Sequence, residues 1–350
     1  MTAPGRSRFP VAARLHCGPV SRLFSSAFCA LAVASLPGCL APADLSPQGF
    51  ACTDDAACGE GGAFRCVESH CTPARVQLTL PLRGAFFSGG FPYSWSGLPA
   101  GHPEPLIGRY TSRDPAVVSG QLAAMHRANI QVALFTWWGP GTDSDGVFDA
   151  LFQASRADSM QWAVVYQREA QDHPSATDIR LRLSDLYTRY AQAPNYAWLG
   201  DRYLVVIPTA YHGTCEVAER WVAGRDQSRT PAFLLMEVPV TWPTGDEEGC
   251  AVQPDAWYRI PQTTSVLQTK DATVVMPGIW KAGDAAPKVP RDPTRFRADV
   301  QTLVTSPQPF QLVDSFNDWL EGSAVEASAA DAEPTAYLDA LHDAPVTAGP

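Results

Sequence analysis

Ile130-Gln131-Val132-Ala133-Leu134-Phe135-Thr136-Trp137-Trp138-Gly139-Pro140-Gly141, then an amphipathic run over 146–156, then Gln161-Trp162-Ala163-Val164-Val165-Tyr166, is the part of the chain from which the fold follows. The two apolar runs are short, rich in β-branched and aromatic residues and nearly unbroken by polar side chains, as in strands buried on both faces. A helix-length segment between them makes a strand–helix–strand unit, which sets the two strands parallel in one sheet. The same alternation continues outward to both ends. Further strands are read at 84–87, 203–207, 232–238, 256–260, 273–276 and 310–314, and further helices at 114–128, 176–191, 216–222, 293–305 and 334–342. Eight strand slots in roughly 270 residues predict an α/β fold over 76–350, closed as a (β/α)8 TIM barrel rather than an open doubly wound sheet. No Gly-rich phosphate loop follows any strand, so no dinucleotide cofactor is expected.

Composition narrows the class. The chain has 350 residues, of which 18% are charged and 31 are prolines, which describes a loop-rich globular protein and not a coiled coil or a disordered chain. The net charge of −10 comes without any basic cluster, so nucleic acid is not an expected partner.

Residues 1–38 read as a leader. Arg6, Arg8, Arg14 and Arg22 precede or open an apolar stretch over 23–36 that is short for a membrane span, and the stretch ends in Leu36-Pro37-Gly38-Cys39. A small residue before cysteine, with an aliphatic one two positions further back, resembles a bacterial lipobox. That resemblance implies cleavage before Cys39 and diacylation of its thiol, with two or more acyl chains holding the protein at a membrane. The expected location is the cell envelope, reached by export. Leu40, standing where a retention Asp would be, points to the outer membrane. Six cysteines then remain, an even number that fits an oxidising compartment. Cys52, Cys58, Cys66 and Cys71 fall in a Gly-rich, acidic piece within 39–75 that is too small to hold together without crosslinks, and their connectivity is open. Cys215 and Cys250 are expected to bridge neighbouring loops. No CxxC pair is present, so disulfides are favoured over zinc.

In a closed barrel, residues just past the C-terminal strand ends converge on one mouth. Here those positions carry Trp137 and Trp138; Tyr166, Gln167, Arg168 and Glu169; Glu237 with Trp242 beyond it; Trp280 and Lys281; and 315–322, which includes Asp318 and Glu321. Aromatic faces pack against the C–H faces of sugars, and carboxylates bind hydroxyls. Any single Trp reads first as packing, whereas Trp near four strand ends suits a saccharide cleft. Asp318 and Glu321 stand three apart, so a helical turn would put both carboxylates on one side. Such a pair serves glycosidic cleavage, one group protonating the leaving oxygen and the other working at the anomeric side. By itself the D-x-x-E spacing more often opens a solvated helix.

Ser315-Phe316-Asn317-Asp318-Trp319-Leu320-Glu321-Gly322-Ser323-Ala324-Val325-Glu326 resembles the S-F-N-E-W-x-E-G-T-x-x-E pattern of glycoside hydrolase family 99, which includes endo-α-mannosidases. Gly108-Arg109-Tyr110-Thr111-Ser112-Arg113-Asp114-Pro115 is similar to its G-x-Y-S-S-x-D-P, and Thr136-Trp137-Trp138 to its S-W-W strand end. The resemblance spans residues 84–342 and implies a (β/α)8 barrel, no metal, and retaining hydrolysis of α-mannosidic linkages through an anhydro-sugar intermediate. By position it makes Asp318 the base toward the sugar 2-hydroxyl and Glu321 the acid. It has Asn317 and Trp319 shape the site, and Tyr110, Trp137, Trp138 and Tyr166 touch the sugar. Two departures bear on activity. Asp318 replaces the family Glu and loses about 1.5 Å of reach, a misplacement of the size that can cost ~10²-fold in rate. Gln167 stands where relatives carry Glu, with Glu169 two residues on and, on an extended strand, pointing the same way.

The expectation is a monomeric, membrane-anchored glycosidase acting on an oligosaccharide or polysaccharide. The alternative is a glycan-binding lipoprotein with the same cleft and impaired catalysis, and a structural envelope protein without a small-molecule site ranks third. His212 is a possible sugar ligand, His126 reads as packing or surface, and Asp143-Ser144-Asp145-Gly146 reads as a turn.

Overall fold

The computed structural model describes residues 51–346, apart from 59–63, 68, 157, 210–213 and 239–248. The described residues belong to one compact unit. The leader, Cys39, His212 and Trp242 lie outside the described residues. Among the described residues no helix is long and apolar enough to cross a membrane.

Eight strands surround the core: β1 Leu82–Phe87, β2 Val132–Trp137, β3 Gln161–Tyr166, β4 Arg202–Ile207, β5 Ala232–Glu237, β6 Ala256–Tyr258, β7 Ala272–Val275 and β8 Phe310–Val313. Pairing is parallel from β1 through β6 and again from β7 through β8 back to β1. The remaining seam lies between β6 and β7. There Trp257 N–H donates to the Asp271 carboxylate (2.9 Å) and the Thr269 hydroxyl donates to Trp257 C=O (2.9 Å). A short antiparallel strand, Val266–Gln268, covers β7 on that side. The result is a nearly closed (β/α)8 barrel.

Alternation along the strands sorts the core into two layers. Leu134, Val165, Val206, Leu235, Val274 and Leu312 meet inside the barrel. Their neighbours Phe135, Val164, Val205, Leu234 and Val313 face outward against the helices. Those helices are α1 Pro115–Arg127, α2 Asp143–Ala154, α3 Ala176–Leu186 with a wider turn to Ala191, α4 Thr214–Ser228, α5 Pro293–Thr305 and α6 Ala336–His342. Their starts are written locally. Asp114 and Asp292 cap α1 and α5, each followed by proline at the first helical position, and Ser175 and Asp178 form a capping box on α3. After β2, Gly139 (φ 98°) and Gly141 (φ 77°) take left-handed conformations that let the chain turn off the strand end into α2.

The cysteine pairing left open by spacing is Cys52–Cys66 and Cys58–Cys71, around a hairpin of Phe64–Val67 and His70–Pro73. Cys215 pairs with Cys250, joining the start of α4 to the segment before β6.

Candidate active site at the barrel mouth

Inward-facing residues at the C-terminal strand ends line an open cleft of about 280 Å³, at the small end of ligand pockets. Phe86, Thr136, Val165 and Glu237 come from β1, β2, β3 and β5, and Tyr258 from β6; Gln167 and Asp314 stand just past β3 and β8. Lys281, from the segment after β7, and Asp318 and Glu321, from the loop after β8, complete it.

That last loop is held by an unusual number of polar contacts. Ser315 Oγ accepts the Asp318 N–H (2.6 Å), and Asp318 Oδ1 accepts the Glu321 N–H (3.1 Å). The amide of Asn317 is spent on Ser88, accepting its N–H at 2.7 Å and donating to its C=O at 3.0 Å. Glu326, the last residue of the twelve-residue pattern, accepts from Tyr110 OH (2.8 Å), Gln121 Nε2 (2.9 Å) and Trp319 Nε1 (3.1 Å). Gly322 (φ 66°) takes a left-handed conformation beside Trp280, where a Cβ would stand 3.3 Å from the Trp280 Cβ and 3.4 Å from its backbone N. Trp280 N–H reaches Glu321 C=O at 2.8 Å.

Electrostatics separate the acids. Burial, and then the Glu321 charge, raise Asp318 to about 6, against opposition from the N–H groups of Glu321 and Leu320 and from Lys281. Asp314 is pushed well above its ordinary value by burial and then by Glu321 and Asp318. Lys281 Nζ stands 3.2 Å from Glu321 Oε1. Two carboxyls three residues apart therefore open into one cleft, with one raised toward neutrality. Such a pair can move protons to and from a bound substrate.

The other residues singled out in the sequence are distributed differently. Trp137 and Tyr166 occupy outward strand positions. Trp137 is fully buried, with Nε1 on Asp145 (3.0 Å), and Tyr166 packs edge-on against Trp221 with centroids 5.3 Å apart. Tyr110, Asn317 and Trp319 are buried behind the loop in the Glu326 network and do not line the cleft. Glu169 does not stand beside Gln167 on a strand. The strand ends at Tyr166, and Glu169 begins a helical turn whose direction carries its carboxylate onto Arg220 (2.6 Å) and Trp221 Nε1 (2.7 Å). Trp138 is exposed, and Trp280 lies tilted against His102 with centroids 4.3 Å apart; neither lines the cleft. Among the described residues the cleft wall is therefore Phe and Tyr, with no Trp. His126 lies on the surface against Asp158, and the Asp145 carboxylate accepts from Gly141 N–H, Trp137 Nε1 and Arg189. Sequence reading missed Asp314, Gln262 and Ser88 as lining residues. Counting in twos from Leu312 would have turned Asp314 inward.

No protein-family model and no curated protein matches the chain. Solved structures do. The endo-α-mannosidase of glycoside hydrolase family 99 from Bacteroides thetaiotaomicron, in complex with bis-tris-propane, superposes with a TM-score of 0.62 at 15% identity, covering 76% of this chain and 96% of that one. A second structure of that enzyme gives 0.59 at 15% identity, with 76% and 97% covered. A glycoside hydrolase-like protein gives 0.55 at 14% identity, with 81% and 98% covered. The chain thus shares the (β/α)8 barrel fold of these structures, which include family 99 endo-α-mannosidases.

Proposed function

We propose that the protein is a retaining glycoside hydrolase acting on α-mannosides or related glycans, with Asp318 and Glu321 as its reacting groups. The observation that carries this reading is their joint presence in one open cleft at the mouth of a glycoside-hydrolase barrel. In the reaction, the sugar's own O2 bonds to C1 as the glycosidic bond breaks. Asp318 takes the O2 proton while Glu321 gives one to the leaving oxygen. Water then opens the anhydro ring, with both proton transfers reversed. A carboxylate raised to about 6 suits the first task, being ionised at neutral pH yet more basic than an ordinary Asp. For Glu321 to donate, it must enter the substrate complex carrying a proton, with the glycosidic oxygen in the place that the Lys281 ammonium holds at 3.2 Å in the free site.

The test is release of reducing ends from α-mannan and aryl α-mannosides. Glu321→Gln is expected to lower turnover by ~10²–10⁴-fold while sugar affinity persists. Absence of turnover by the wild-type protein across a broad glycan panel would remove the reading. Gln167 in the cleft wall and the short Asp318 favour a second one, a glycan-binding protein with impaired catalysis. It predicts binding without turnover, and activity gained in Asp318→Glu. We further propose a monomer anchored through a diacylated Cys39, exported to the outer membrane. Fatty-acid labelling abolished by Cys39→Ser is the expected result.

A further inference from the structure

The reaction written above leaves two carboxyls in the cleft unused, those of Glu237 and Asp314. Asp314 follows the last residue of β8, and its own N–H is spent on Val275 C=O at 2.9 Å. Its carboxyl opens into the cleft and makes no hydrogen bond or ion pair with any described residue. Around it stand Glu237 from β5, Tyr258 from β6, Lys281 from the segment after β7, and Asp318 and Glu321 from the loop after β8. Among the described residues of that wall Lys281 is the one ammonium beside four carboxyls, and it sits against Glu321.

A half-buried carboxyl crowded by like charges is shifted toward its protonated form. In that form it is no longer acceptor-only: it offers one O–H donor together with a carbonyl acceptor. The distinction matters in a cleft lined by carboxylates, because a sugar hydroxyl must be met by donors to its oxygen as well as by acceptors of its proton. A carboxylic acid held neutral in an apolar site is an established way to supply such a donor.

Resting on the glycosidase reading for the class of ligand, we propose that Asp314 touches the bound sugar directly, donating a hydrogen bond from its carboxylic acid to a ring hydroxyl. It thereby selects among hydroxyl configurations at the strand end of the cleft. The same crowding disfavours a sugar carrying its own carboxylate, so uronic-acid-containing glycans are excluded.

Two measurements test this on the full-length protein. The first needs no substrate: Asp residues carrying ¹³C-labelled carboxyls are titrated by NMR, comparing wild type with Asp314→Asn. A signal that remains protonated through pH 7 and is missing in the variant is expected. A signal from Asp314 that titrates in the ordinary Asp range overturns the proposal. The second is affinity for the best-bound neutral oligosaccharide. Asp314→Asn, which keeps one donor and one acceptor, weakens binding severalfold at most, while Asp314→Leu weakens it by roughly tenfold or more. Equal losses in the two variants overturn the donor role, as does tight binding of a uronic-acid oligomer by wild type. A sugar held equally by wild type and Asp314→Leu overturns this inference alone. Wild-type protein that binds no saccharide overturns it together with the glycosidase reading.

Discussion

Asp318 shows how a single residue couples stability to chemistry. Its pKa in the folded protein is about 6, above the ordinary value of 3.8, so between those limits the native state holds a proton that the unfolded chain has released. Stability therefore falls as pH rises through that window and stays lower above it. Asp318→Asn is expected to raise the melting temperature at pH 7 and to change it little at pH 4, with a gain on the order of 1–3 kcal/mol at neutral pH. Thermal unfolding at the two pH values checks this, and an equal shift at both would contradict it. Activity should run the other way, since a base must be ionised, so kcat/KM falls as pH drops below about 6. Lys281 lowers Asp318, so Lys281→Ala moves that limb upward, which a pH–rate profile of the variant would reveal. At this scale the sequence was readable where spacing carried the information, as with Asp318 and Glu321. It was misread at Trp137 and Tyr166, where the residue type suggested sugar contact but strand alternation turned the rings outward. Asp314 was passed over because one acid at a strand end carries no pattern until its neighbours in space are known.

The element that makes the site is the loop after β8, and its rigidity comes from behind the cleft. Glu326 gathers Tyr110, Gln121 and Trp319, and Tyr110 OH also accepts from Asn317 Nδ2 at 3.2 Å. Tyr110, Asn317 and Trp319, which the linear pattern sets among the site groups, thus lie behind the loop and hold it from there. Tyr110→Phe removes the hydroxyl and leaves the buried Glu326 carboxylate one donor short. The expected loss is about 1–3 kcal/mol of stability, with a fall in kcat larger than any change in KM, because Asp318 and Glu321 shift together. Chemical denaturation and steady-state kinetics on one preparation would separate the two, and a pure KM effect would mean that Tyr110 binds sugar. The strands and helices themselves were legible to within a few residues, since burial on both faces and helix caps are local signals. The β6–β7 seam was not. Val266–Gln268 is three residues long and partly exposed, too short for periodicity to mark it, and its closing bonds come from Thr269 and Asp271 side chains. Glu169 failed for the opposite reason: extending β3 beyond Tyr166 assumed a strand where the backbone had already turned helical.

For the whole molecule, what a barrel demands of its sequence is modest, namely alternation along eight strands and an apolar helix face over each. That is why the fold persists at 15% identity to solved family 99 structures while no family model matches. The demand does not extend to the cysteine-rich piece, whose hairpin is held by Cys52–Cys66 and Cys58–Cys71 and whose chain enters the barrel from the end opposite the cleft. Arg75 lies over Trp198 at 3.9 Å, Leu78 bridges to Leu199 beside the start of β4, and Leu82 N–H then meets Pro309 C=O where β1 and β8 begin. Every cleft residue falls between Phe86 and Glu321, at the other ends of those strands. A protein beginning at Arg75 keeps the Trp198 contact and all of the cleft. It is expected to melt within a few degrees of the longer form and to bind or hydrolyse the same oligosaccharide with unchanged constants. The two disulfides each close a short loop within the removed piece and restrain nothing in the barrel, so their loss should not reach the site. If the shortened protein shows native circular dichroism yet has lost its sugar affinity, the piece contributes to the cleft. If it fails to fold, the barrel depends on the Cys-rich piece for its stability.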